Sequence, residues 1–313
     1  MKTSRIDVFV YIISKFINGS LIVANVAISA VLAVAISNEI KAVFPNLHPG
    51  NVTLLAILGW SIVFFVVMDL SNYISHFLQH FVPVLWELHK VHHSATFLNP
   101  LTGRRQHPLG DHFDNLVTAT MVAVPLGICK ATLGLSLEDM ALMVGDGNLI
   151  GSTIVLDSLR HSQFPAGFGP LDRVLASPHM HQLHHSYKVE HWDRNFGNKL
   201  SIWDWWFGTQ TQPAPYETFP WGLGKAEDHD YDTLWGVYVL PLVKIGRLIR
   251  GVPVYADAYS LALPKRPFFE RVLWRKPDYG TRRAAPTEPP AAPLASPARA
   301  SASASVANSA SAS

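Results

Sequence analysis

The sequence predicts an all-α integral membrane protein: a helical bundle of about four spanning or partly inserted helices beneath a cytoplasmic, histidine-rich cap. Three observations predict this. The 313 residues are 49% hydrophobic and only 15% charged, where a globular domain usually carries about 25% charged residues. Several apolar runs are long enough to cross a bilayer, which takes roughly 20 residues. The 15 histidines are clustered rather than scattered.

The elements follow in order. Residues 18–37 are almost continuously apolar and predict a first span. A cleaved signal peptide is disfavoured because residues 6–17 before this run are already mostly apolar. A second run over 52–70 passes into Ser71-Asn72-Tyr73-Ile74-Ser75-His76. A third runs from near Leu116 to Gly134, and the polar Ser136-Leu137-Glu138-Asp139 joins it to a fourth from Met140 to about Leu159. The last two read as an antiparallel hairpin. Pro125, Gly127 and Lys130 in one, and Gly145, Asp146, Gly147 and Gly151 in the other, predict that at least one is broken or only partly inserted. Residues 232–249, with Pro241 and Lys244, read as an interfacial helix.

Basic residues set the orientation. Only Lys41 lies in the 38–51 loop, whereas Lys90, Arg104 and Arg105 follow the second run, and Arg160, Arg173, Lys188, Arg194 and Lys199 follow the fourth. With Lys2 and Arg5, this places both termini and every histidine cluster in the cytoplasm. The division expected is an anchor over 1–51, a catalytic domain over 52–212, an interfacial region over 213–281 and a disordered Ala/Ser/Pro-rich tail over 282–313. A net charge of +2 gives no argument for nucleic acid. The single cysteine, Cys129, excludes an internal disulfide and any multi-cysteine metal site.

Histidine therefore carries the chemistry. His76 and His80 are four apart, on one helical face, directly after an apolar run. His89-Lys90-Val91-His92-His93 and His181-Gln182-Leu183-His184-His185 share one spacing, whose three imidazoles are expected to converge on one side of a helix. A chance surface patch has no reason to repeat a spacing. His161 stands alone at the end of the fourth run, with Asp157 one helical turn before it as a partner that orients an imidazole. These nine imidazoles exceed what one metal takes and suit two. Imidazole suits iron, zinc, copper and nickel, so ligand type does not choose among them. His107, His112 and His179 read as hydrogen-bonding residues.

The order of these boxes resembles the fatty acid hydroxylase superfamily, also called the sterol desaturase family. The likeness extends to Asp69 and Tyr73 before the first box, Trp86 before the second, and Arg105-x-His107-Pro108 after it. It continues through His161-Ser162, Ser177-Pro178, Asn195-Phe196-Gly197 and Ile202-Trp203-Asp204-x-x-Phe207-Gly208-Thr209, and covers roughly residues 55–212. Asp157 departs from the pattern, since relatives carry a second histidine there.

The resemblance implies a membrane histidine-box centre of two iron ions that uses O2 to hydroxylate an unactivated C–H bond of a sterol or other lipid. The ligands it implies are His76, His80, His89, His92, His93, His161, His181, His184 and His185. Asp69, Asn195 and Asp204 would orient imidazoles or tie the cap to the helices, with interfacial anchoring as the alternative for Asp204. Lys90, Arg104 and Arg105 would hold headgroups or dock an electron carrier, or simply mark the cytoplasmic side. The substrate would enter from the bilayer. Electrons would come from a separate donor protein (a reductase, a ferredoxin or a cytochrome b5-like protein), because no such domain is visible in the chain. Desaturation at the same centre, and a zinc-dependent non-redox membrane protein, are the alternative readings.

Overall fold

The computed structural model describes residues 2–154, 159–214, 217–224, 227, 229–254, 268, 272 and 273. Helices α1 (Lys2–Val43), α2 (Leu54–Phe81), α4 (Pro108–Leu133) and α5 (Leu137–Ile154) make the bundle. The shorter α3 (Pro83–His93), α6 (Pro178–His184), α7 (Ile202–Phe207), α8 (Leu234–Tyr238) and α9 (Leu240–Arg250) make the cap. The described residues contain no β-strand beyond two isolated bridges. Among them three helices are long and apolar enough to span a membrane: Val23–Val43 within α1, Leu54–Phe81 and Pro108–Leu133. The fourth expected segment forms α5, which is not one of these three.

Local chemistry explains the boundaries. Thr53 accepts a hydrogen bond from the Ala56 amide (3.1 Å) and opens α2. Val82, in extended conformation, and Pro83 close α2 and start α3, so α3 folds back over the end that carries His76 and His80. Gly134, at φ 68°, ends α4 in the left-handed conformation. Ser136 then accepts from the Asp139 amide (3.1 Å) and its hydroxyl donates to the Asp139 carboxylate (2.7 Å), opening α5. Of the two hairpin helices, at least one of which was expected to be broken or only partly inserted, α4 runs unbroken through Pro125 and α5 is not among the three long and apolar enough to span. The expected interfacial helix over 232–249 is two pieces, α8 and α9, with Pro241 in the first turn of the second.

Away from the cap, Ala33 of α1, Phe64 of α2, Val122, Leu126 and Cys129 of α4, and Met140 and Met143 of α5 form one buried cluster. Without a hydrophobic drive between helices in lipid, close approach over small residues does the holding. Gly127 is a point of close approach between α4 and α1. A Cβ there would lie 2.6 Å from Ile36 Cγ2 and 2.9 Å from the Ala33 carbonyl oxygen of α1. Gly127→Val is expected to cost about 1–3 kcal/mol of stability, read as a lowered Tm in detergent. An unchanged Tm would show that α1 yields at this contact.

The other end of α1 buries one face against protein. Ile6 and Val10 pack with Val91 of α3, Tyr231 and Val237. Asp7 and Arg105, both at 0% exposure, form an ion pair at 3.0 Å. The first turns of α1 thus belong to the same end of the molecule as the histidines.

Candidate metal centre

Three local structures deliver the boxes. His76 and His80 stand one turn apart on the last two turns of α2. His89, His92 and His93 occupy the last turns of α3. His181 and His184 lie on α6, opened by the Ser177 hydroxyl, which accepts from the Met180 amide (3.4 Å), and His185 caps it. His161 arrives from the turn after α5 and rests against Gly103, where a Cβ would come within 3.0 Å of its Nδ1. Any side chain at 103 would displace that ring.

These nine residues gather into two groups. His76, His80, His89, His93 and His184 form one, and His92, His161, His181 and His185 the other, with the ligand-type atoms of each group within 4.8 Å of one another. The expectation that each three-histidine box converges on one side is corrected here. In α3 the i, i+4 pair His89 and His93 joins the first group, while His92 turns to the second. In α6 the i, i+4 pair His181 and His185 joins the second, and His184 turns to the first. Neighbouring residues on a helix point about 100° apart, so a box whose last two members are adjacent serves two places at once.

The geometry suits metal ions. The Nε2 atoms of His161 and His181 lie 2.8 Å apart, those of His161 and His92 3.2 Å, those of His185 and His181 3.1 Å, and those of His184 and His93 3.1 Å. Imidazole nitrogens about 2.1 Å from one ion are separated by roughly 3.0–3.4 Å. His76 Nε2 and both ring nitrogens of His89 are buried without a hydrogen-bond partner, a costly state unless another ligand takes them. Burial holds His89, His93, His161, His181, His184 and His185 well below the ordinary imidazole value, and neighbouring rings add to it. His92 is pushed down to about 3, by burial first and the nearby Arg160 guanidinium second. All therefore stand neutral with lone pairs available, as metal binding requires.

Outward-facing nitrogens are fixed in turn. His76 Nδ1 donates to the Phe196 carbonyl (2.9 Å) and His184 Nδ1 to the Arg194 carbonyl (2.7 Å). His80 Nδ1 faces an Asp193 carboxylate oxygen at 3.4 Å. Such partners fix the tautomer and ring orientation. The Phe196 ring closes one wall, edge-on to His76 and against His80 and His184.

The carboxylates act one step back. Asp69 accepts from the Lys199 amide (2.9 Å), the Leu200 amide (3.1 Å) and Trp203 Nε1 (2.9 Å), tying α2 to the segment before α7. Asp204 accepts from the Phe196 amide (2.8 Å), the Gly197 amide (2.7 Å) and Thr209 Oγ1 (2.6 Å), and so holds the residue whose carbonyl receives His76. Burial pushes its carboxyl up to about 6, against these hydrogen bonds. Gly197 is needed for this contact, because a Cβ there would sit 2.7 Å from Asp204 Oδ2. Asn195, at φ 57°, donates to the Met180 carbonyl of α6 (3.1 Å) and the Thr211 carbonyl (2.8 Å). Both carboxylates and Asn195 thus tie the cap together.

His107 lies outside both groups. It caps α4 by accepting from the Leu109 amide (3.2 Å) and donates to the Tyr238 carbonyl (3.2 Å). His179 donates to the Glu217 carbonyl (2.9 Å), and His112 lies 3.5 Å from Asn25. Asp157 falls outside the described residues.

The expected surface role of two basic residues is overturned. Arg105 is fully buried, bonded to Asp7, the Val91 carbonyl (3.1 Å), Ser94 and the Tyr231 carbonyl (2.9 Å). Lys90 is buried between Glu87 (3.3 Å) and Glu227 (3.2 Å). Only Arg104 of the three is exposed. Sequence reasoning gave no site role to Asp7, Asp193 or Arg160. Asp7 had one available signal, an acidic residue at the edge of an apolar helix.

Comparison with known proteins agrees with this geometry. Residues 61–209 match the family model described as fatty acid hydroxylase. An ornithine lipid hydroxylase of Rhizobium tropici is 30% identical over 165 residues, covering 51% of this chain and 46% of that protein. Alkylglycerol monooxygenases of Xenopus tropicalis and Homo sapiens are 27% and 28% identical over 145 residues, covering 46% of this chain and 29% of each. The chain thus matches less than half the length of these curated relatives. No solved structure matches.

Proposed function

We propose, because residues 61–209 match the fatty acid hydroxylase family model, that this chain is a membrane enzyme that hydroxylates an unactivated C–H bond of a lipid, with O2 as co-substrate and two iron ions as cofactor. The observation that carries this reading is the pair of buried histidine groups at one end of apolar helices. Five imidazoles would hold one iron and four the other. An alkyl C–H bond offers nothing for a side-chain acid or base to seize, and a bound iron pair supplies the oxygen activation that the side chains lack. The overall change is RH + O2 + 2e⁻ + 2H⁺ → ROH + H2O, and a separate electron-donor protein provides the electrons.

The chain's own residues do the rest. Phe196 and the buried rings exclude bulk water from the centre. The Phe196 and Arg194 carbonyls keep His76 and His184 with the hydrogen on Nδ1 and Nε2 turned inward. Asp69 and Asp204 hold the segment that carries one of those carbonyls. An apolar cavity of about 440 Å³ lies among α1, α2, α4 and α5, lined by residues including Met68, Val122, Leu126 and Val144, and gives the tail of a lipid room within the bilayer. The names of the relatives, an ornithine lipid hydroxylase and alkylglycerol monooxygenases, favour a substrate with a polar head and a long chain, and a sterol is the alternative. The surplus of lysine and arginine beside the boxes favours the cytoplasmic face for the centre and for the N-terminal end of α1.

Lipid profiles of a host expressing the protein, set against one expressing His92→Ala, test this. A species heavier by one oxygen is expected only with the unaltered chain. A species lighter by two hydrogens would replace hydroxylation with desaturation, and identical profiles would overturn the reading.

A further inference from the structure

The two histidine groups differ in what stands behind them. In the group of five, the outward nitrogens of His76 and His184 meet backbone carbonyls, and that of His80 faces the Asp193 carboxylate. Each is an oxygen that receives an N–H, which raises the donor strength of the inward nitrogen. In the group of four, His181 Nδ1 lies 2.9 Å from Arg160 Nη2. A guanidinium has five donors and no acceptor, so here the imidazole must accept. A neutral imidazole that accepts at Nδ1 carries its hydrogen on Nε2, the nitrogen that faces inward, so a metal can bind there only once that hydrogen is moved and the contact with the guanidinium is broken, the opposite of the effect of an oxygen. Arg160 is only 6% exposed, so water screens it little, and arginine keeps its charge at any physiological pH. The group that faces it also has one imidazole fewer.

We propose that the two histidine groups are unequal metal sites, and that Arg160 makes the group of His92, His161, His181 and His185 the weaker. This rests on the two-metal reading above. The group of five fills first, and the protein passes through a form with one metal before it holds two. Arg160 acts through His181 and is a positioning and charge-setting residue rather than a ligand.

The test is a titration of the metal-free, detergent-solubilised full chain with cobalt(II), followed by its visible absorption, with a competing chelator to fix the affinities. Two binding events are expected, separated by at least about tenfold. His184→Ala should remove the tighter event and His181→Ala the weaker. Arg160→Gln should tighten the weaker event by about tenfold and leave the tighter one unchanged, while Arg160→Lys, which keeps the charge, should retain the separation. Two events of equal affinity in the unaltered protein would overturn the proposal and leave the two-metal reading standing. So would a weaker event that disappears with His184→Ala, or that weakens further in Arg160→Gln. Binding of a single cobalt per chain, or of none, in the unaltered protein would remove both.

Discussion

His184→Ala and His92→Ala should each abolish turnover while each removes metal from a different group. His184 belongs to the group of five, and His92 to the group of four. The expected loss in each is more than about a thousandfold, the scale seen when one member of a set that acts as a unit is removed. For the same reason the double variant should be no less active than either single one. Metal analysis gives the sharper readout: one ion lost in each single variant and both in the double, with the helical content unchanged. Full activity in either variant, or loss of metal without loss of turnover, would remove the histidine groups from the chemistry.

Arg105→Ala should be the most damaging substitution outside the histidines. The side chain is at 0% exposure and bonds to Asp7, Ser94 and two carbonyls. Removing it leaves the Asp7 carboxylate buried without its cation, bonded among the described residues only to Asn99 and Thr102, and stranding a buried charge in this way costs about 3–5 kcal/mol. The Val91 carbonyl and Ser94 hydroxyl, bonded to each other at the end of α3 next to His92 and His93, each lose the bond from Arg105. The variant should therefore unfold at a markedly lower temperature and bind less metal. Pairing Arg105→Met with Asp7→Leu should recover part of the stability, because no charge is then stranded. If that double variant were as unstable as Arg105→Ala, the stranded carboxylate would not be the source of the loss.

Much of the site was legible because its signals are local. Eight of the imidazoles stood out by spacing alone, and i, i+4 spacing is a direct property of the helix, whereas His161 stood alone and was picked out by its neighbour Asp157 and by the resemblance. How the boxes divide was not legible. His92 and His93 are adjacent in sequence, and only the placement of α3 against α6 and His161 sends them to different groups. Burial of charge was misread for a similar reason. Arg105 and Lys90 look like surface cations in a membrane protein, and their partners Asp7 and Glu227 are far away in sequence. The carboxylates Asp69 and Asp204 were found by resemblance. Their role, holding amides of the 196–200 segment, depends on a fold-back that no sequence periodicity encodes.

The buried clasp at Arg105 also bears on how the protein is made. Arg105 lies inside the 61–209 segment that matches the family model, yet two of the groups it binds, the Asp7 carboxylate and the Tyr231 carbonyl, lie outside it. During synthesis α1 leaves the ribosome first and must wait for Arg105, which must in turn wait for Tyr231. The helix bearing the second box is fastened only when both flanks of the shared segment have arrived. The boundary of the family match is therefore not a boundary of assembly, and a chain trimmed to the matched stretch would carry all nine histidines without the fastening that holds three of them in place.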